Sequence, residues 1–144
     1  MEIKIKKLNP NAVLPSRGSE YAAGYDLYAC TGGDIIIPPH QNVKIGTGLA
    51  IAVPDGYFGA IFARSGLAAK QSLRPANCVG VADSDYRGEY IVALHNDSDE
   101  PKIVRNGDRI AQLVIMPFLP AEFIETDSLD ETARGAGGFG STGK

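Results

Sequence analysis

Residues 2–8 alternate Ile3 and Ile5 with Lys4 and Lys6, the period-two signature of a half-buried strand. Residues 43–53 are β-branched and aliphatic but broken by Gly46 and Gly48, which predicts one long strand with a bulge or bend. Pro54-Asp55-Gly56 signals a turn, and residues 57–63 follow as another strand. Residues 77–82 and 89–94 flank Asp83-Ser84-Asp85-Tyr86-Arg87-Gly88 and read as a hairpin. Residues 102–104, the turn Arg105-Asn106-Gly107-Asp108 and residues 109–116 predict a second hairpin, with Asn-Gly as its cue. Helical character is confined to residues 65–72, where Ser65 is the candidate N-cap before Leu67, Ala68, Ala69, Lys70 and Gln71. Short strands joined by glycine and proline turns predict an all-β fold, a jelly-roll-like barrel or sandwich with one short helix.

Composition narrows the class. The chain has 144 residues, enough for one ordinary domain with a true core. Its 17 glycines and 9 prolines fit many tight connections. A net charge of −3 argues against a protein that lives on nucleic acid phosphates. The longest apolar runs, residues 49–53 and 113–116, are too short to cross a bilayer, so no membrane partner is expected. The N-terminus has no apolar stretch of signal-peptide type. Cys30 and Cys78 form neither a disulfide framework nor a CxxC site, and are expected to be reduced, buried thiols. A cytoplasmic location follows as the expectation, or a nuclear one in a eukaryotic or viral setting.

The tail differs from the body. Residues 122–131 are acidic, and residues 135–144 hold five glycines. Such a segment cannot order itself alone, so it either frays or closes on a ligand. Its GxGxxG match (Gly135, Gly137, Gly140) and partial Walker A match fail on context, since no helix can follow Lys144 to hold a phosphate. What remains is a run of unhindered amides beside Phe139 and two hydroxyls, able to wrap a polyphosphate. His40 and His95 lack metal-pair spacing and suit solvent or hydrogen-bond roles.

Three segments carry chemistry. Ala63-Arg64-Ser65-Gly66 sets a cation, a hydroxyl and helix-start amides together, which favours an oxyanion, although a surface arginine beside an ordinary cap reads equally well. Asp83 and Tyr86 place a carboxylate and a ring at i and i+3 of a turn, fit for a general base and a sugar support, or simply for an Asx-rich turn. In Gly107-Asp108-Arg109-Ile110-Ala111-Gln112, Arg109 fits a surface ion pair as well as a site.

With Ala22-Ala23-Gly24-Tyr25-Asp26-Leu27 near the start and the run from Arg134 to Gly143 at the end, these segments reproduce in order the five motifs of one family. The chain resembles the trimeric dUTPases over nearly its whole length. Two departures are small: Tyr25 is bulky for its place in the first motif, and Ala82 stands where a larger aliphatic residue is commoner. The resemblance implies a jelly roll of residues 1–133 and a flexible C-terminal arm, residues 134–144, closing over the site. It implies hydrolysis of dUTP to dUMP and pyrophosphate, with Mg²⁺ as cofactor and water attacking the α-phosphorus. Asp83 is then the base. Asn77, the backbone around Val81, Ala82 and Asp83, and Ile91 enclose uracil, while Tyr86 packs on the deoxyribose. Arg64, Ser65, Gly66 and Gln112 hold phosphates, and Asp26 supports the metal through water and steadies Arg64. Phe139 stacks on the base, Arg134, Ser141 and Thr142 meet the terminal phosphates, and Gly140 is a further substrate-binding residue of the arm. The family implies a homotrimer with sites between subunits. The alternatives are a dCTP-deaminase-like enzyme of the same fold, with Glu89 as its base, and a dUTP-binding regulator without turnover.

Overall fold

A computed structural model describes residues 1–77 and 79–139. Its elements run β1 (Lys4–Lys7), β2 (Ser16–Arg17), β3 (Tyr25–Tyr28), β4 (Ile35–Ile37), β5 (Asn42–Gly46), β6 (Leu49–Ala52), β7 (Tyr57–Phe62), α1 (Ser65–Gln71), β8 (Leu73–Pro75), β9 (Gly80–Ala82), β10 (Ile91–Asn96), β11 (Lys102–Val104) and β12 (Arg109–Pro117). The strand order is β2-β3-β12-β7-β9 in one sheet and β5-β10-β8 in another, with two-stranded ribbons β1-β6 and β11-β4. Every pairing is antiparallel, and the order is far from sequential, as in a jelly roll.

The alternation read from the sequence is what fills the core. Val92, Leu94 and Asn96 of β10 are buried while Ile91, Ala93 and His95 turn outward. Leu27, Ile37, Ile45, Leu49, Leu73 and Ile110 join Leu94 in the fully buried centre between the sheets. Asn96 is tolerated there because its amide donates to the carbonyls of Ile37 and Glu100.

Four expectations need correction. Residues 43–53 form two strands, not one: Gly48 turns the chain at φ +67°, so β5 joins β10 while β6 joins β1. Neither expected hairpin pairs with itself. The arms around Asp83 diverge, β9 to β7 and β10 to β5 and β8. The Asn-Gly turn is formed, with Asp108 N–H donating to Arg105 C=O at 3.1 Å, but it passes the chain from the β11-β4 ribbon to the five-stranded sheet. Ser65 is the first helical residue, not the cap; Arg64 takes the extended N-cap position without a side-chain bond to the helix amides. Cys30 is half-buried rather than buried, packed beside the core, and Cys78 lies outside the described residues. No helix among the described residues is long and apolar enough to cross a membrane.

Candidate active site

An anion-friendly hollow of about 240 Å³ lies at one end of the five-stranded sheet. Gln112 of β12 pairs with Asp26 of β3 on one side and Phe62 of β7 on the other. Arg64 is two residues past Phe62 and so returns to the same face. Arg64 Nε donates to Asp26 Oδ1 at 2.8 Å, and Nη1 donates to the Arg109 carbonyl at 3.1 Å. Gln112 Nε2 donates to the Ala63 carbonyl at 2.8 Å, fixing the strand end from which Arg64, Ser65 and Gly66 emerge. A side chain at Gly24 would run into the Gln112 amide, so the glycine keeps that position open.

Arg109 belongs here too. Residues 109 and 112 are three apart and would face opposite ways in a regular strand. A register shift between Arg109 and Ala111 inserts one residue, buries Ile110 and Ala111 together, and returns Arg109 to the face of Gln112. Its Nη1 reaches Asp26 Oδ2 at 3.2 Å. Sequence reasoning left Arg109 undecided, and a bulge three residues from Gln112 carries no local signal. Two guanidiniums around one carboxylate leave a net positive hollow with a hydroxyl at its rim. That is chemistry for a phosphate chain.

The second hollow, about 200 Å³, is the slot left where the expected hairpin splits. Asn77, residues 80–83, Tyr86 and residues 89–91 line it. One wall is β9 backbone held by β7, with Gly80 against Ile61 and Ala82 against Gly59. Tyr86 folds back over Gly88, where any side chain would strike its ring, and its hydroxyl donates to the Glu89 carbonyl at 2.9 Å. Arg87 Nη1 donates to the carbonyls of Ser84 and Tyr86, bracing the turn. Burial pushes the Tyr90 phenol up to about 12; neighbouring Tyr86 acts in the same direction, Arg87 opposes and Asp83 adds to the rise. Glu89 also lines the slot, but its carboxylate is engaged by the backbone. Its Oε1 accepts the Gly48 N–H at 2.7 Å in a notch formed by Gly46 and Gly48, which removes it as a base for a pyrimidine.

The predicted residues therefore fall into three groups. Asp26, Arg64, Ser65, Gly66 and Gln112 meet at the first hollow, and Asn77, Val81, Ala82, Asp83, Tyr86 and Ile91 at the second. Arg134 and Phe139 reach neither. Arg134 Nε donates to the Gly137 carbonyl within its own loop, and Phe139 is fully exposed. Gly140, Ser141 and Thr142 lie outside the described residues. His40 bonds Asp99 at 2.9 Å, and His95 lies between Asn42 and Asp97, the hydrogen-bond roles expected of them. Among the described residues no cluster of His, Cys, Asp and Glu could hold a metal ion by itself. A third hollow, about 530 Å³ and lined by Ile3, Ile5, Leu14, Tyr25 and Ile115 among others, is apolar and lacks such chemistry.

This fold with a split-strand slot and an arginine-lined hollow defines a nucleotide-handling β protein, and comparison names its family. The sequence model of the dUTPase family matches residues 10–143, and the chain belongs to that family. It is 56% identical over 131 residues to the deoxyuridine 5'-triphosphate nucleotidohydrolase of Desulfitobacterium hafniense, covering 90% of this chain and 87% of the relative. With that of Nautilia profundicola it shares 49% over 144 residues and the full length of both. The solved Staphylococcus bacteriophage 80alpha dUTPase with dUPNHPP superposes with a TM-score of 0.86 at 27% identity, over 99% of each chain.

Proposed function

We propose that the protein is a dUTP diphosphatase that hydrolyses dUTP to dUMP and pyrophosphate in sites shared between copies of the chain. One observation carries the shared site. β9 runs antiparallel to β7 with Ala82 opposite Gly59, so Asp83 lies beyond one end of the pair while Arg64 leaves the other. At strand rise the two are roughly 17–20 Å apart. A base and the groups that hold the attacked phosphate must meet within a few ångströms. A single chain cannot bring them together; the slot of one copy facing the anion hollow of another can.

The family's homotrimer supplies such facing pairs. Unburied apolar residues fit association: Leu119, Phe123, Ile124 and Leu129 are each at least 80% exposed, in a segment whose residues 116–136 are all exposed. The third, apolar hollow is a second surface of that kind. The arm, residues 134–144, then closes over a neighbour's site, with Phe139 on the base and Arg134 on the terminal phosphates.

Within the site, the β9 backbone offers N–H and C=O groups to the edge of uracil, and Asn77 and Ile91 close the slot. Tyr86 packs on deoxyribose and fills the space a 2′-hydroxyl would need. Asp83 accepts a proton from the attacking water. Arg64, Ser65, Gly66 and Gln112 hold the phosphates, and Arg109 joins them. The donor set fits Mg²⁺ only as a substrate-borne ion, since Asp26 is the hollow's one carboxylate and both its oxygens already face arginines. Asp26 would meet the ion's water shell, and the bound ion would offset charge developing on the phosphates.

Pyrophosphate release from dUTP, UTP, dTTP and dCTP, with and without Mg²⁺, tests the reading. Fast release confined to dUTP and dependent on Mg²⁺ is expected, with Asp83→Asn reducing turnover roughly 10²–10⁴-fold while dUTP still binds. Ammonia release from dCTP would instead support the deaminase alternative.

A further inference from the structure

Asp83 and Tyr86 sit on one short loop that leads from β9 to β10 and pairs into neither sheet. Among the described residues, the hydrogen bonds of residues 84–88 all close within residues 83–89. There are four of them. Tyr86 N–H donates to the Asp83 carbonyl at 3.1 Å, and the Tyr86 hydroxyl donates to the Glu89 carbonyl at 2.9 Å. The other two come from a single atom: Arg87 Nη1 donates to the Ser84 carbonyl at 2.6 Å and to the Tyr86 carbonyl at 2.9 Å. Two carbonyl oxygens that converge on one point repel each other unless a cation lies between them. The loop is acidic as well, with Asp83, Asp85 and Glu89 against Arg87 as the single cation of residues 83–89.

Resting on the reading of Asp83 as the base and Tyr86 as the sugar residue, we propose that Arg87 is a positioning residue that holds both in one preorganised unit. Both ends of the loop are tied to the body, at Ala82 through β7 and at Glu89 through the Gly48 N–H. The stretch between them relies on the bonds of Tyr86 and Arg87 alone. Three successive residues place the Tyr86 ring: Arg87 holds its carbonyl, Gly88 lets the ring lie back where any side chain would strike it, and Glu89 accepts its hydroxyl. The same guanidinium nitrogen fixes the carbonyl of Ser84, the residue next to Asp83. The Asp83 carboxylate has no hydrogen-bond or ion-pair partner among the described residues, so its direction follows from its backbone. Arg87 therefore acts on both residues through the chain and not through the substrate.

The test compares the full-length parent with Arg87→Met, which removes the charge and the donors, and Arg87→Lys, which keeps a cation for the two carbonyls. Arg87 is exposed, so Tm should hold in both variants. Arg87→Met should lower kcat for dUTP roughly 10-fold, the loss expected of a base displaced by a fraction of an ångström. It should also narrow the dUTP-over-UTP ratio of kcat/KM roughly 3-fold or more, since Tyr86 is released with the turn. Arg87→Lys should recover most of both losses. Inhibition by inorganic tripolyphosphate, the probe of the anion hollow, should be the same in all three proteins. Parental kcat and parental ratio in Arg87→Met overturn the inference. So does weakened tripolyphosphate inhibition, which would make Arg87 a direct phosphate contact, or a lowered Tm with the ratio unchanged, which would make it a stabilising residue only. A lysine variant no better than the methionine one overturns it too, because the cation between the carbonyls is then not what holds the turn. A parent that releases no pyrophosphate from dUTP, or that treats dUTP and UTP alike, overturns the reading of the site itself, and this role with it.

Discussion

Arg64 and Asp26 are joined across an intervening strand. The guanidinium at the end of β7 reaches over Gln112 of β12 to the carboxylate on β3, at 2.8 Å, with side chains only 24% and 14% exposed. The pair fixes where the arginine points before any phosphate arrives, which lowers the ordering cost of binding. Arg109 at the second carboxylate oxygen completes the arrangement.

Removing that carboxylate should loosen the phosphate site more than the fold. Asp26→Ala leaves two partly shielded arginines facing each other, so a stability loss of about 1–3 kcal/mol is expected, below that of a fully buried pair. KM for dUTP should rise several-fold more in Asp26→Ala than in Asp26→Asn, which keeps an acceptor for Arg64. Urea unfolding and steady-state kinetics measure the two effects. Parental KM in both variants would show that Asp26 does not position Arg64.

The elements with strict alternation were legible in the sequence; their partners were not. Ile3 and Ile5 mark β1, because burial on one face imposes period two, and β12 shows instead as an unbroken apolar run at residues 113–116. Both hairpins were misassigned for one reason: short turns suggest local pairing, whereas the hydrogen-bond partners are set by which sheet buries each strand. The motifs set Asp83 with Tyr86 and Arg64 with Gln112, and the fold brings each pair to one hollow. Arg109 depends on a bulge, a relationship between strands that no local pattern encodes.

Alkali should probe the buried phenol. Burial pushes the Tyr90 phenol up to about 12 from its ordinary 10.0. The folded state therefore holds this proton more tightly than the unfolded state. The stabilisation is fully present below pH 10 and is lost as pH rises from about 10 to about 12. Denaturant midpoints should fall across that window by the equivalent of about 2–3 kcal/mol more in the parent than in Tyr90→Phe. Parallel pH profiles would mean that the hydroxyl is not shielded in solution.

The arm should matter to turnover and not to folding. Among the described residues, 118–139 lie outside the core, and the polar contacts of Arg134 and Gly135 stay within their own turn. Ordering a glycine-rich segment costs about 1–2 kcal/mol per residue, so closure needs a ligand to hold it. Deleting residues 134–144 should leave Tm and oligomer unchanged while kcat/KM falls steeply. Phe139→Trp introduces the chain's single tryptophan, and its emission should change when Mg²⁺ and a non-hydrolysable dUTP analogue are added. Unchanged emission at saturation, or parental activity after deletion, would reduce the arm to a frayed end.

Subunit mixing tests the shared site most directly. On the proposed assignment Asp83→Asn lacks the base and Arg64→Ala lacks the phosphate grip, so each variant alone should be nearly inactive. If Asp83 of one copy serves the hollow of another, a reassociated mixture contains sites built from an intact Asp83 and an intact Arg64 on different chains. Random assortment of equal amounts makes about a quarter of the sites whole in a closed ring. Dissociating the two variants together in mild denaturant and returning them to buffer should thus restore about a quarter of parental activity, whereas mixing without dissociation should restore little. A site contained within one chain predicts no recovery under either regime. The roughly 17–20 Å that separates the two residues along β7 is the reason to expect the first outcome.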